Sequence, residues 1–370
     1  MSTILAHAQG LVYSLLGLMP SCYQRDSLQA LLGLFLQAQG HPLPEHCQVK
    51  SASALSRFLN EYPWSTRQMI RQVRQAVLDK LLSYRPRGRK PCLQVIIDLT
   101  SLEKRGKFKA FESLITVLDG KRGLHLVVLY LVVGDWRVPW NFRVFRGKGT
   151  TSPAQLGLRL VRRLPKTLTR RFQVMVLADT AFGSVEFLQG IRKLRYHAVV
   201  GVRCDRKLVD GRKVSSLYKR GQQVWLNGLP FVVSVSWFYL KRNHKSEKRF
   251  VLSTKPLKAS TINWWGKCRW QIEGWFKTAK HRFGLHRFAQ QTKLGMYRWL
   301  ILSLIAYLLA HWAYLSTGST TSPDWGQVAE KAFHSILPHL VAYILLSDIL
   351  RLQPLLQALG IDINISWCKM

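Results

Sequence analysis

Two short apolar runs that each end on an aspartate constrain the fold of this chain most strongly. They are Leu93–Asp98 and Val174–Asp179, and a third run, Leu124–Val133, consists almost wholly of Leu and Val. Continuous apolar runs of this length predict strands buried in a sheet that is covered on both faces. If both strands end at one edge of that sheet, Asp98 and Asp179 lie side by side there.

Helix-like patterns on both sides of these strands divide the chain. The N-terminal part is predicted to be helical, and residues 205–253 alternate turn dipeptides with β-like runs, which predicts a small inserted antiparallel sheet. The predicted fold class is therefore α/β, with a mixed-sheet core, a β-rich insertion and helical N- and C-terminal regions. The predicted regions are 1–90 (helical, closing on a basic linker at 85–90), 91–204 (first part of the core), 205–253 (the insertion), 254–320 (second part of the core) and 321–370 (C-terminal helices).

Positive charge is concentrated in the middle of the chain. The whole sequence carries 55 Lys and Arg against 19 Asp and Glu, a net charge of +36. Residues 1–66 are neutral and residues 321–370 carry −1, so residues 67–320 carry +37. Such a segment predicts binding to a polyanion, and nucleic acid is the expected partner.

A carboxylate stands among cations and aromatic residues in the stretch Arg269-Trp270-Gln271-Ile272-Glu273. If residues 258–283 form one helix, Arg269, Glu273 and Lys280 fall within an arc of about 40°. Lys277 and Arg282 extend the basic side of that helix, and contact with the DNA backbone is the expected role of these cations. Ile272, Phe276, Ala279 and Phe283 share another face, which is predicted to pack on the core.

Asp98, Asp179 and Glu273 together have the composition of a two-metal site. Two Mg²⁺ ions held roughly 3.5–4 Å apart by carboxylates can bind the attacking and leaving oxygens of a phosphoryl displacement. Each aspartate alone is more often a turn or helix cap than a catalytic residue. Their combination in a basic chain favours the metal site.

These residues resemble those of DDE transposases of the insertion-sequence-four branch. The third acid of that branch stands in the signature Y-(2)-R-(3)-E-(6)-K, and Arg269, Glu273 and Lys280 have these spacings. Ile97-Asp98-Leu99-Thr100 and the residues around Asp179 resemble the motifs of the first two acids. The signature tyrosine falls on Gly266, and neighbouring Trp265 is a candidate for its place.

The resemblance implies an RNase H-like (retroviral-integrase-like) core and a bacterial insertion-sequence transposase. Its catalytic and metal-binding residues would be Asp98, Asp179 and Glu273, with two Mg²⁺ ions that Mn²⁺ can replace. Its partner would be double-stranded DNA, namely terminal inverted repeats and target DNA, bound by a homodimer. The helical N-terminal region 1–90 would be a DNA-binding region. In the insertion, Trp237 and Trp225 are candidates for stacking on an extruded base, although strand propensity favours packing.

Other protein classes fit the sequence less well. The cysteines are scattered without a C-x-x-C pair, which argues against zinc and disulfides and favours a reducing cytoplasm. The resemblance implies a bacterial, nucleoid-associated protein. The apolar segments Trp299–Leu315 and His339–Leu350 are read as buried core helices, with no membrane partner. A structure-specific DNA nuclease and a non-catalytic DNA-binding protein derived from a transposase remain alternatives.

Overall fold

A computed structural model describes residues 3–86, 88, 90–242 and 245–363. Arg87 and Arg89 of the predicted linker and the predicted Asn243-His244 turn lie outside the described residues. The helices are α1 Thr3–Leu16, α2 Cys22–Gln37, α3 Ala52–Asn60, α4 Thr66–Ser83, α5 Pro153–Arg162, α6 Lys166–Arg171, α7 Val185–Lys193, α8 Ala259–Cys268, α9 Gln271–His281, α10 Lys293–Leu315, α11 Trp325–Ile336 and α12 Pro338–Ala358. The strands are β1 Cys92–Glu103, β2 Thr116–Leu118, β3 Lys121–Val133, β4 Trp136–Phe145, β5 Gln173–Ala178, β6 His197–Val202, β7 Gln222–Val224, β8 Val233–Arg242 and β9 Lys245–Ser253.

The strands form one mixed sheet in the order β2-β3-β1-β5-β6-β9-β8-β7, with β4 also paired to β3. Strands β4, β3 and β1 are antiparallel to one another, whereas β1, β5 and β6 run parallel. The predicted mixed α/β core is confirmed, and this arrangement is consistent with an RNase H-like fold. Every residue of β3 from Gly123 to Val133 is buried, as its apolar sequence predicts.

Strand β1 is longer than the sequence pattern indicated. The prediction that it ends on Asp98 is wrong, because β1 continues to Glu103 and pairs with β3 over its whole second half. The physical reason is that Thr100 and Leu102 remain buried while Leu99 and Ser101 are half-buried, so the period-2 pattern of a strand persists past the acid.

The register assigns residues to the two faces of the sheet. Directly paired residues of an antiparallel ladder point to the same face. Asp98, Val128 and Phe142 therefore share one face, and Leu99, Val127 and Arg143 share the other. Helix α9 covers the Asp98 face, where Trp275 stacks on Tyr130 at 5.3 Å, since Tyr130 pairs with Ile96.

Helix α5 covers the opposite face. Its Gly157 approaches the sheet so closely that a Cβ there would lie 3.1 Å from Cγ2 of Ile97, which shares the Leu99 face. The helix begins at a capping box in which Ser152 and Gln155 bond reciprocally, as its predicted N-terminus requires. The sheet thus carries different helices on its two faces.

The predicted β-rich insertion differs from a separate small sheet. Strands β7, β8 and β9 are antiparallel, but β9 also pairs with β6, so they extend the central sheet. Residues 205–221 contribute only isolated bridges and a short 3₁₀ turn. The reason is that the Val199–Val202 edge of β6 offers free ladder groups, which Phe250–Ser253 occupy.

The chain divides into two compact units that differ from the predicted regions. One contains residues 73–280 and 291–293, including the whole sheet. The other is helical and combines residues 1–72, 281–290 and 294–370, so the N-terminal and C-terminal helices belong together.

In the helical unit, Arg298 is 2 % exposed and donates to the carbonyls of Phe58, Leu59, Tyr62 and Trp64 at 2.8–3.0 Å. Because these carbonyls belong to the end of α3 and the link to α4, one side chain stabilises that connection.

Helices α10 and α12 are long and apolar enough to cross a membrane by length and composition. The apolar window of α10 is 78 % buried inside the protein, which agrees with the predicted core helix. The prediction is wrong for α12, whose window is 6 % buried and which exposes Leu345, Leu352 and Leu355. Apolar length alone does not determine whether a neighbouring element covers the helix.

Candidate functional site

Asp98 and Asp179 are brought together by the parallel pairing of β1 with β5. The last described pair of this ladder is Ile97 with Ala178, so the next residue on each strand is an aspartate. Asp98 continues along β1, whereas Asp179 leaves the sheet at the end of β5. The predicted juxtaposition follows from this register, although only one of the two strands ends there.

The carboxylate of Asp179 also caps a short turn. Its Oδ1 accepts a hydrogen bond of 2.9 Å from the backbone N–H of Ala181, at the start of the 3₁₀ turn Thr180–Phe182. Burial nevertheless raises the pKa of Asp179, although hydrogen bonds and Arg269 oppose the rise. The capping interpretation is therefore correct for one oxygen and does not exhaust what this carboxylate can do.

Asp98 is the most strongly perturbed acid. Its side chain is 12 % exposed, and its Oδ1 accepts a hydrogen bond from the backbone N–H of Leu99 at 2.8 Å. Burial, followed by the negative charge of Asp179, raises the pKa of Asp98 to about 7, while Arg269 lowers it. Perturbed carboxylates of this kind cluster at functional sites.

Glu273 lies in the first turn of α9 rather than in the middle of one long helix. The predicted continuous helix over 258–283 is wrong, because α8 ends at Cys268 and α9 begins at Gln271. At the junction, the N–H groups of Trp270, Ile272 and Glu273 each bond three residues back, as in a 3₁₀ helix.

The buried residues of the two helices explain the break. Ile262 of α8 and Ile272 of α9 are both fully buried. On one straight helix they would point about 80° apart at 100° per residue. A change of direction between them lets both side chains reach the core, and the predicted buried set Ile272, Phe276, Ala279 and Phe283 is confirmed.

Arg269 sits at this junction and links two of the acids. Its guanidinium donates from Nη1 to Oδ2 of Asp98 at 2.8 Å and from Nη2 to Oε1 of Glu273 at 2.7 Å. The Arg269 side chain is 15 % exposed, whereas that of Glu273 is 53 % exposed. One buried cation therefore offsets part of the charge of three acids.

The donor set fits a hard divalent cation, although Arg269 holds two of its members. Three carboxylates supply the oxygen ligands that Mg²⁺ prefers. Burial is the main cause of the raised pKa values of Asp98 and Asp179, with a smaller contribution from neighbouring acids. Within the described part of the chain, no three acidic, histidine or cysteine side chains are grouped closely enough to hold a metal ion. Metal binding at these residues therefore requires the carboxylates to move closer together, and the two that Arg269 binds, Asp98 and Glu273, to be released.

A cavity of about 490 Å³ opens beside the acids. Asp179, Arg269 and Glu273 line it together with residues of β8, β9 and α8. Gly266, at the position where the resemblance would place a tyrosine, lies in its wall, and a Cβ there would meet Val251 at 3.3 Å. The aromatic residue of the α8–α9 junction in this wall is Trp270 rather than Trp265. Trp270 is not among the predicted site residues, although its position next to Arg269 is a usable signal.

The remaining predicted DNA contacts occupy different positions. Lys280 lies about 10 Å from Glu273 along α9, and burial and Lys121 lower the pKa of Lys280 while Glu103 raises it. Lys277 is exposed on α9, and exposed Arg282 follows the end of that helix.

Trp237 is 6 % exposed, and Nζ of Lys248 lies 4.1 Å from its ring centroid. The burial of Trp237 favours packing over base stacking. Trp225, in contrast, is 51 % exposed, so its ring is accessible.

Comparison with known proteins points to one family. A family model described as a transposase DDE domain matches residues 94–309, more than half of the 370-residue chain. Among solved structures, the chain is similar to the piggyBac transposase of a synaptic complex with hairpin DNA. The TM-score is 0.53 and the identity 13 %, over 91 % of this chain and 78 % of that chain, so this likeness concerns the fold. No curated protein matches the chain in sequence.

Proposed function

Because the chain belongs to the transposase DDE domain family, we propose that it is the transposase of a bacterial insertion sequence. It would cleave phosphodiester bonds at the ends of a mobile element and join the freed 3′ hydroxyl to target DNA. The observation that carries this proposal is the placement of the acids: Asp98 and Asp179 follow the last pair of the β1–β5 ladder, and Arg269 links Asp98 to Glu273. The Arg269, Glu273 and Lys280 spacing supports the insertion-sequence-four branch.

Asp98, Asp179 and Glu273 would hold two Mg²⁺ ions, or Mn²⁺ in their place. When bound, such ions activate the attacking oxygen and stabilise the leaving oxygen of the phosphodiester. The chain contributes rigid positions for the acids, since two are fixed by strand register and the third by the first turn of α9. Burial and the negative charge of Asp179 raise the pKa of Asp98. A nearby cation would oppose both effects and favour the ionised carboxylate.

The cations around the acids would bind the DNA backbone. After releasing Asp98 and Glu273, Arg269 can meet a phosphate with two parallel hydrogen bonds. Lys280 would contact a phosphate farther along α9, and exposed Lys277 and Arg282 would add charge. The protein would act on nucleoid DNA in the bacterial cytoplasm, as a homodimer that pairs two element ends.

The test is single-turnover cleavage and strand transfer on duplex DNA carrying the sequences that flank the gene. Asp98→Asn, Asp179→Asn and Glu273→Gln should each abolish Mg²⁺-dependent cleavage and leave DNA binding largely intact, because they remove charge without changing volume. Retention of near-wild-type cleavage by any of them refutes its assigned role.

A matched control is available in the same cavity. Glu247 lines it and forms an ion pair of 2.8 Å with Arg249, so Glu247→Gln should cleave like the wild type. Cleavage without joining would indicate a nuclease, and DNA binding without cleavage would indicate a non-catalytic descendant.

A further inference from the structure

Three arginines lie on elements of the sheet unit that pack against one another, since the Arg74 guanidinium lies 5.3 Å from the ring centroid of Trp140 on β4 and α5 also packs on β4. Arg74 lies on α4, Arg143 on β4, and Arg163 directly follows α5. The positive charges of Arg143 and Arg163 act on Arg74 and, after burial, lower the pKa of Arg74. These three residues are called the arginine cluster below. Like charges brought together in this way repel each other unless an anion is added.

The described residues provide no anionic partner for the arginine cluster. None of the ion pairs in the described ranges includes Arg74, Arg143 or Arg163. The Arg74 guanidinium lies 5.3 Å from the ring centroid of Trp140, and its Nε is buried without a hydrogen-bond partner. A buried donor without a partner is costly, and an arriving acceptor would remove that cost.

The surrounding sequence is free of acids. Between Asp135 and Asp179 there are ten Lys or Arg residues and no Asp or Glu. Several of them, including Arg159, Arg162 and Lys166, are exposed near the end of α5 and the start of α6. Cations at the end of a helix complement its dipole, but that does not explain Arg74 and Arg143, which lie elsewhere. The cluster is therefore part of a broader basic surface.

The register shows where this surface lies relative to the acids. Arg143 pairs with Val127, and Val127 pairs with Leu99, so Arg143 is two strands, or about 10 Å, from the residue next to Asp98. Arg143 and Leu99 share a face, and Asp98 points to the other one. A phosphate bound at Arg143 is therefore not the phosphate that the carboxylates reach.

We infer that the arginine cluster binds the phosphate backbone of duplex DNA, at a surface separate from the one where cleavage takes place. The inference rests on the proposed function, since it assigns a second DNA contact to a DNA-processing protein. In this role the cluster contacts phosphate oxygens, and such contacts position the duplex without reading its base sequence. It would hold a stretch of duplex other than the one being cut.

The test is the salt dependence of binding of a random-sequence 30-base-pair duplex by the full chain in EDTA. The variant is Arg143→Gln with Arg163→Gln, two side chains outside the core. Each lost phosphate contact should reduce the slope of log affinity against log salt by about 0.9, so the double variant should lose about 1.8. Its affinity at low salt should fall at least tenfold.

The control is Arg203→Gln with Arg212→Gln, which removes the same charge from arginines that pair with Asp205 and Asp210 at 2.9 and 2.7 Å. The control should leave the salt slope within about 0.3 of the wild-type slope, which is well under the 0.9 or so expected for one phosphate contact. A double variant that behaves like this control, while folding like the wild type by circular dichroism, overturns the inference.

Inorganic phosphate distinguishes a small-anion site from a DNA site. If phosphate alone raises the melting temperature of the wild type but not of the Arg143/Arg163 variant, and duplex affinity is unchanged in that variant, the inference is wrong. Failure of the proposed function gives a different result. The wild type would then not bind duplex DNA with a steep salt slope, and Asp98→Asn would not reduce cleavage.

Discussion

Replacing Arg298 by methionine should destabilise the helical unit more than any other single surface or polar change in it. The substitution keeps an unbranched apolar stem and removes the guanidinium, which lies 3.9 Å from the centroid of the Trp64 ring. Burial lowers the pKa of Arg298 to about 10, so the group is still charged at neutral pH and every hydrogen bond it makes is charge-assisted.

The magnitude follows from the acceptors that lose their donor. Four carbonyls, two at the end of α3 and two in the following link, accept from Arg298 at 2.8–3.0 Å. The carbonyls of Phe58 and Tyr62 keep a second donor, the indole and the backbone N–H of Trp64, so the loss falls on the carbonyls of Leu59 and Trp64. A buried acceptor left without a partner costs about 1–3 kcal/mol. The variant no longer has to bury a charge, which offsets several kcal/mol of that sum. With two carbonyls unpaired and the contact of the guanidinium with the Trp64 ring lost, the expected net loss is about 2–4 kcal/mol.

Urea denaturation followed by circular dichroism measures this loss, and hydrogen exchange of the α3 amides gives a local readout. Arg57 is exposed on α3, so Arg57→Met should change the free energy of unfolding by well under about 1 kcal/mol. Arg298→Lys should recover part of the loss, since an ammonium has only three donors for four carbonyls. A loss below about 1 kcal/mol in Arg298→Met would show that water or a rearranged link satisfies these carbonyls and that the reasoning is wrong.

Three further predictions concern the acids and their cations. In metal-free buffer the folded state keeps the Asp98 proton up to about pH 7, whereas the unfolded state loses it near 3.8, so wild-type stability falls as pH rises between these values. Asp98→Asn should therefore have a higher melting temperature than the wild type at pH 8 and the same one near pH 4, and melting temperatures that differ equally at both pH values would contradict this. Arg269→Gln should raise Mn²⁺ affinity measured by calorimetry several-fold, because the metal no longer displaces a guanidinium from Asp98 and Glu273; unchanged or weaker binding would show that Arg269 does not compete. Lys280→Ala should lower the salt slope of duplex binding by about 0.9 without abolishing cleavage at saturating protein, and a complete loss of cleavage would place Lys280 in the chemical step instead.

The sequence allowed the neighbourhood of Asp98 and Asp179 to be predicted, because a parallel pair of apolar runs places the residues after them side by side. It did not reveal that β1 continues past Asp98. The run Leu99–Glu103 is more polar than the run before it, and pairing with β3 along one edge is enough to keep it in the sheet. Apolar content indicates which strands are central, and long-range pairing determines where each one ends.

The break between α8 and α9 at Arg269 could be predicted from the same apolar periodicity that suggested one helix. The stripe Ile272, Phe276 and Ala279 is regular, and extending it backwards does not reach Ile262. The ion pairs of Arg269 were not open to prediction, since spacing gives the direction of a side chain from its own helix but not the distance to β1. Asp98 is 171 positions away in sequence, and only the assembled fold brings the two groups to 2.8 Å.

The separation of the arginine cluster from the acids depends on the pairing register of β3 with β4, which the sequence leaves open. Side chains alternate between the faces of a sheet, so a shift of one residue in the pairing of β3 with β4 would move Arg143 to the Asp98 face. The observed register contains an irregularity at Leu129 and Tyr130, opposite Pro139 and Asn141, and such an irregularity changes which residues of β4 share a face beyond it. Trp140 lies in that interval, buried, with Arg74 over its ring. This irregularity therefore places Trp140 where Arg74 contacts it and determines the face on which Arg143 lies. For this reason, a charge count over this segment predicts a polyanion partner, but it does not predict the surface that binds it.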